Sequence, residues 1–375
     1  MIYLDCSATT PVCAESIKAI TDSLKDDFGN PSSRHFLGVE AGRNLERSRE
    51  VIAKKLGAKA EEIFFTSGGT EANNIAVFGA VNAAKKFRNK KRIVISAIEH
   101  ASVFESAKEL ENEGYELVLL KPDRFGNIAV SELFRAIDEN TVLVSMMLVN
   151  NELGSILPAS SVKGIIKAKN SPALFHCDCV QGFCKLPFTV KSIGADLVSV
   201  SSHKIFGPKG IGALYVKKGV RILPHSFGGE QEMKIRPGTQ ATALAAGFGA
   251  AVESYDTSAY SEKVKEINEY ALAKLSKIDG IVFNSDKNAS EYILNFSLPG
   301  FRSEIILNFL SSKGICVSAG SACAKGKPSH VMSAVSSDKS ITDSAIRLSF
   351  SHLNTKEEID VLTNHLKTAV GTLAH

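Results

Sequence analysis

Short apolar runs rich in β-branched residues alternate with helix-patterned stretches over the first two thirds of the chain, and this rhythm restricts the fold more than any other feature. Ile63–Thr66, Arg92–Ser96, Glu116–Leu120, Val142–Leu148, Ala173–Cys177, Leu197–Ser201 and Gly212–Val216 are the strand candidates. Many are apolar at successive positions, as strands covered on both faces are. Helical stretches such as Glu71–Phe87 and Val103–Glu113 fall between them. Strands alternating with helices build an α/β layer structure, here a mostly parallel seven-stranded sheet flanked by helices. The last two runs are joined around Gly207-Pro208-Lys209-Gly210. That link is too short for a helical crossover, so the final strand is expected to run antiparallel to its neighbour.

The rhythm changes after about Tyr255. A charged helix near Ser258–Ile278 leads to strands Tyr292–Ser297, Ile315–Ser318 and Ile346–Ser349, with helices near Ser303–Ser312 and Thr355–Ala369. We expect a large domain over residues 1–255 and a smaller C-terminal α+β domain over 256–375, with the first 15 residues packed on the smaller one. The polar stretch Ser333–Ser344 is expected to be a loop. With 375 residues, 44% of them hydrophobic, the chain can supply both cores.

A net charge of +4 is too weak to argue for direct nucleic-acid binding. Seven cysteines without a disulfide-like spacing point to a reducing compartment. The N-terminus lacks a charged segment followed by an apolar one, and no apolar run is long enough to cross a bilayer. The expectation is a soluble cytoplasmic protein with no membrane partner.

The chemistry is concentrated at strand ends. Lys204 follows the strand Leu197–Ser201 and precedes a Gly/Pro turn, while Asp178 closes the run Phe175-His176-Cys177-Asp178. A lysine at a sheet rim with an aspartate on a neighbouring strand end suits pyridoxal phosphate. The amine can form a Schiff base and the carboxylate can pair with the pyridinium nitrogen. Thr66-Ser67-Gly68-Gly69-Thr70-Glu71 reads as strand, glycine turn and helix start. It serves as an anion cradle or as a capped βα turn equally well. Glu99-His100 ends another strand, where open sheets bind ligands, although a capping His explains it too. Asn150-Asn151-Glu152-Leu153-Gly154 is either a ligand-binding amide or a plain turn. Cys177 and Cys179 should share one face of their strand with Asp178 on the other. Four zinc ligands at usual spacing are not evident there. Cys323 lies among small residues with lysines after it, which favours a mobile thiolate. Arg347, on a strand, has the shape of a carboxylate clamp or of an ordinary ion-pair partner.

The order of these features is more specific than any one of them. From Tyr3-Leu4-Asp5 to Glu357-Glu358-Ile359-Asp360 the chain resembles the cysteine desulfurases, in the class V aminotransferase branch of fold-type I pyridoxal-phosphate enzymes. Ser7-Ala8-Thr9-Thr10-Pro11, Gly29-Asn30-Pro31-Ser32-Ser33, the Thr66–Asn74 run, Ser202–Gly212, Arg236-Pro237-Gly238-Thr239 and Gly314–Cys323 carry the resemblance. It implies pyridoxal 5'-phosphate bound through Lys204, with Asp178 on the ring nitrogen and Gln181 on the phenolic oxygen. His100 would stack on the ring and move protons. Gly69, Thr70, Ser201 and His203 would hold the phosphate, and Thr239 would reach that of a second copy, making a homodimer. Asn151 and Arg347 would bind the substrate carboxylate, Asn151 also lying near the ring oxygen. Cys323 would take sulfur from L-cysteine and contribute a transient iron–sulfur ligand during transfer. The acceptor would be an iron–sulfur scaffold protein or a tRNA-thiolation enzyme. A selenocysteine lyase, another class V enzyme and a non-catalytic sulfur-assembly platform are the alternatives. Cys6, the short run after Cys323, the glycine-free Val335-Ser336-Ser337-Asp338 and Gln240-Ala241-Thr242 depart from the usual family pattern.

Overall fold

The computed structural model describes residues 1–85, 91–319 and 329–373. In chain order its strands are β1 (Ile2–Tyr3), β2 (Ile63–Thr66), β3 (Arg92–Ser96), β4 (Glu116–Leu120), β5 (Thr141–Ser145), β6 (Leu174–Asp178), β7 (Leu197–Ser201), β8 (Gly212–Val216), β9 (Val282–Phe283), β10 (Ile293–Ser297), β11 (Ile315–Cys316) and β12 (Ala345–Ser349). Seven of them form the main sheet in the order β2-β8-β7-β6-β5-β3-β4. The pairs β7–β6, β6–β5, β5–β3 and β3–β4 are parallel, and β8 runs against both of its neighbours. The tight turn before β8 therefore produces the antiparallel strand that its length requires.

Alternation along each strand feeds two cores. Ile93 and Ile95, Leu143, Leu197 and Leu214 pack on one face with the helix Gly69–Ala84. Val94, Val144, Val198 and Ala213, one residue out of step, enter the core on the other face. Burying each such aliphatic side chain contributes about 1.5–3 kcal/mol, so neither face can be turned to water cheaply. The helices Gly69–Ala84 and Ala101–Asn112 cover the first face, close to the expected bounds. Phe87, the expected end of the first helix, lies outside the described residues.

Two smaller sheets complete the architecture, β12-β10-β9 and β1-β11. β1 pairs in parallel with β11, and Ser349 N donates to Leu4 O at 2.8 Å. The chain's first residues are thereby tied to its last strands. Ser333–Ser344 is not the expected loop. Helices span His330–Val335 and Lys339–Thr342. Ser329 and Asp338 cap them through their side chains, and Val331 and Met332 are buried beneath the first. Short capped turns of this kind carry too little apolar periodicity to stand out in a polar stretch.

Candidate active site

Because β2, β3, β5, β6 and β7 all point the same way, their C-terminal ends share one edge of the sheet. Asp178 ends β6 and is buried. Its Oδ2 accepts from Asn73 Nδ2 at 2.7 Å and its Oδ1 from Val180 N at 2.9 Å. Asn73 also donates to Ser102 Oγ at 2.8 Å, and that hydroxyl is 2.7 Å from His100 Nδ1. Ser102 N donates to the same ring nitrogen, so His100 Nδ1 is an acceptor and the neutral ring carries its proton on Nε2. Burial lowers the His100 pKa, with Asp178 opposing and Lys204 and His330 adding to the effect. The imidazole is therefore neutral near pH 7.

Lys204 closes a short turn directly after β7. Its Nζ donates to Ser7 O at 2.5 Å and Ala8 O at 2.8 Å. Burial, then the charges of Lys185 and Arg347, bring its pKa down to about 7, against the pull of Asp5 and Asp178. Gln181 Nε2 donates to the same Ser7 carbonyl at 2.9 Å. The opening segment of the chain thus serves as one wall of the site. His203 packs on it too, with Nδ1 3.2 Å from Thr9 Oγ1, and burial with Lys204 and Lys209 lowers its pKa to about 4.

Gly69 begins its helix against β7. A Cβ there would sit 2.9 Å from Val180 Cγ2 and 3.6 Å from Ser201 Cβ, so only glycine leaves this corner open. Ser201 Oγ, buried beside it, has no hydrogen-bond partner among the described residues. Thr70 is exposed at the same helix start. Open backbone, an orphaned hydroxyl and a helix N-terminus make a cradle for an anion.

Arg347 projects from β12, almost wholly buried. Its Nη2 lies 2.6 Å from Asp5 Oδ1 and its Nη1 donates to Asn151 O at 2.8 Å. Asn151 Oδ1 is buried without a partner among the described residues. Thr239 stands apart, exposed on the loop after the turn Gln231–Lys234 and joined to none of these groups. Cys323 lies outside the described residues, and so does its expected role as an iron–sulfur ligand. The described residues on either side of it reach the site. Ser318 and Arg347 exchange backbone hydrogen bonds, and His330 Nε2 donates to Glu99 O at 2.8 Å.

Cys177 and Cys179 do share a face, with their sulfurs 3.6 Å apart as buried thiols. No group of three metal-ligating side chains occurs among the described residues.

Comparison with known proteins gives this constellation its family. The family description Aminotransferase class-V matches residues 2–362. The chain belongs to the class-V aminotransferase family, among its cysteine desulfurases. It is 38% identical to the cysteine desulfurase IscS of Dictyoglomus turgidum over 99% of this chain and 95% of that one. A solved NifS-like protein superposes with a TM-score of 0.92 at 34% identity, covering 99% of both chains. A structure described as SspA in complex with cysteine gives 0.84 at 32% identity, over 95% of this chain and 100% of that one.

Two members of this class-V site escaped sequence reasoning. Asn73 joins Asp178 to the Ser102–His100 pair, yet it reads as one more polar residue in Glu71-Ala72-Asn73-Asn74. Its signal is position. It falls one helical turn after the glycine corner, on the face packed against the sheet. Glu99, fully buried beside His100, accepts from Ser96 Oγ at 2.6 Å and Met147 N at 2.8 Å. Burial raises its pKa to about 8, so near pH 7 it is mainly a neutral acid that braces the strand ends.

Proposed function

We propose that the protein converts L-cysteine to L-alanine with pyridoxal 5'-phosphate held at Lys204. Cys323 receives the sulfur as a persulfide and passes it to an acceptor. The observation that carries this reading is the pair Asp178 and Lys204. Asp178 is a buried carboxylate with no ion pair among the described residues, within electrostatic reach of an amine whose pKa is about 7. That combination suits a protonated pyridine nitrogen and an amine free to form a carbon–nitrogen bond near neutral pH.

The donor set fits the cofactor. Ser201 Oγ lacks a partner among the described residues at the glycine corner, where an anionic phosphate would supply one. Asp178, Gln181 and His100 would hold the ring, and Gly69, Thr70, Ser201 and His203 the phosphate. When bound, pyridoxal phosphate supplies an electron sink conjugated to the substrate Cα.

The chain's own residues account for the rest. Arg347, locked by Asp5 and Asn151 in a buried pocket, presents a guanidinium to the substrate carboxylate. Lys204, neutral for a large fraction of the time at pH 7, takes the proton from the substrate Cα. His100 Nε2–H donates a hydrogen bond to the substrate amine or thiol and orients it for reaction. Cys323 Sγ then bonds to the substrate Sγ while the substrate Cβ–Sγ bond breaks. The electron pair remains on carbon, a proton reaches Cβ, Lys204 returns a proton to Cα, and L-alanine leaves. The Ser318 and His330 anchors support this role because both ends of the intervening segment are tied to the site.

An iron–sulfur scaffold protein or a tRNA-thiolation enzyme is the proposed acceptor. We read the protein as a cytoplasmic homodimer, Thr239 of each copy serving the phosphate cradle of the other. The exposure of Thr239 and of the neighbouring Phe227 and Met233 supports the pairing. Six free thiols among the described residues support a reducing compartment. Quantifying alanine and sulfide released from L-cysteine with excess dithiothreitol, which reduces the Cys323 persulfide and frees its outer sulfur as sulfide, tests the reading. Equal amounts of both are expected, and pyruvate with ammonia in place of alanine would overturn it.

A further inference from the structure

Lys185 is a buried lysine that the chemistry above leaves unused. It is 4% exposed and forms no ion pair among the described residues. Its Nζ donates to Gln181 Oε1 at 3.1 Å and lies 5.5 Å from the centre of the Tyr292 ring. An ammonium has donors only. Gln181 must therefore turn its amide oxygen toward Lys185, which points its NH2 group the other way. That NH2 donates to Ser7 O, the carbonyl that also receives Lys204 Nζ. A line of four groups, Lys185, Gln181, Ser7 and Lys204, joins the buried cation to the reactive amine.

A lone buried cation is an unfavourable thing to keep, and an apolar side chain of similar size is often tolerated as well or better. We propose that Lys185 is a positioning residue. It fixes the Gln181 amide so that its NH2 faces Lys204 and any oxyanion held there, and its charge disfavours a second positive charge on Lys204. The oxyanion half of this inference rests on the pyridoxal-phosphate reading, while the amine half does not.

The surroundings agree. Burial brings the Lys185 pKa down to about 8, against Cys6 and Cys184 and with Arg347, so it is mainly a cation at pH 7 and acts on Lys204 below about pH 8, with the Tyr292 ring over it. Around Lys204 stand Lys185, Arg347, Asp5 and Asp178, with His100 and His203 alongside. Lys185 is the leading charge that pushes the Lys204 pKa down, second only to burial. In an amide with no cation behind it, oxygen and nitrogen could exchange places at little cost. Gln181 would then offer its oxygen to Ser7 O and Lys204, repelling the carbonyl and favouring the charged amine.

Two readouts on the full chain test this. In the cofactor-free protein, trace acetylation across a pH series, mapped to the Lys204 peptide by mass spectrometry, reports when that amine loses its proton. Lys185→Met should move the transition upward by roughly one unit, the size of effect a close charge produces, and Lys185→Arg should restore most of it. In the holoprotein, the pH at which the visible band of the Lys204-bound cofactor changes should rise in Lys185→Met and in Gln181→Leu. The double variant should shift less than the two single shifts added, because both remove the same oriented amide. If Lys185→Met fails to fold, Lys185→Gln serves in both readouts, since it keeps a donor without the charge. An unchanged Lys204 transition in the uncharged variant, or shifts that simply add, overturns the proposal. If the wild-type chain takes up no cofactor but the acetylation shift appears, the cofactor reading fails and the Lys185 effect on Lys204 stands.

Discussion

Replacing Lys204 by methionine should stabilise the cofactor-free protein, and by an amount that depends on pH. The structure holds the Lys204 pKa at about 7, against an ordinary value of 10.5. The unfolded chain therefore binds more protons than the folded one between these limits, so this residue's contribution to stability rises with pH across the window. At pH 7 the lysine costs on the order of 4 kcal/mol relative to a group that needs no proton, and at pH 8.5 about 2.5 kcal/mol. The gap between variant and wild type should then narrow by roughly 1.5 kcal/mol over that interval. Its absolute size also contains the lost hydrogen bonds to Ser7 O and Ala8 O, but the narrowing does not. Glu99 titrates in the same window with the opposite sign, since its raised pKa makes stability fall as pH rises toward 8. That contribution is common to both proteins and cancels in the difference. Urea unfolding of each protein at pH 7 and 8.5, followed by circular dichroism, gives the four free energies. A gap that stays constant, or widens, would mean that Lys204 is an ordinary protonated lysine and would remove the basis for its reactivity.

Asn73→Ala should weaken pyridoxal-phosphate binding by about 10- to 100-fold, because the Asp178 carboxylate loses a charge-assisted hydrogen bond worth about 1.5–3 kcal/mol. Fluorescence titration of the cofactor-free chain measures it, and unchanged affinity would relieve Asn73 of that role. Arg347→Lys should raise KM for L-cysteine by tenfold or more (about 1.4 kcal/mol) with a smaller effect on kcat, since a lysine cannot make the paired contact. Steady-state kinetics separates the two terms. Glu99→Gln should stabilise the protein at pH 7 by on the order of 3 kcal/mol more than it does near pH 4, because the unfolded chain ionises an acid that the folded chain keeps protonated, and should flatten the fall in stability between pH 5 and 8. Denaturation curves across that range check the slope.

Much of the site was legible because it sits where the sheet puts it. Asp178, Lys204 and His100 each follow an apolar run, and a strand buried on both faces announces its own end. Gly69 was legible as a glycine turn between a strand and a helix start, and Ser201 only through the family resemblance. The residues that were missed act from inside regular structure. Asn73 occupies a helix face that reads as polar surface until the sheet is placed beneath it. Lys185 looks like a surface lysine after a turn, and its burial depends on Tyr292, more than a hundred residues away. The Arg347–Asp5 pair spans nearly the whole chain, and the parallel bridge of Asp5 to Ser349, two residues beyond Arg347 on β12, brings its partners together. Sequence spacing reports neighbours along the chain, and these contacts are long-range ones. The capped turns in 329–342 were missed for the opposite reason, being too short to display a period.

The most direct measurement is borohydride reduction of the holoprotein followed by peptide mapping. The pyridoxyl group is expected on Lys204 and nowhere else, with the Lys204→Ala chain left unlabelled. A label on another lysine, or an equal label in the Lys204→Ala chain, would contradict the account.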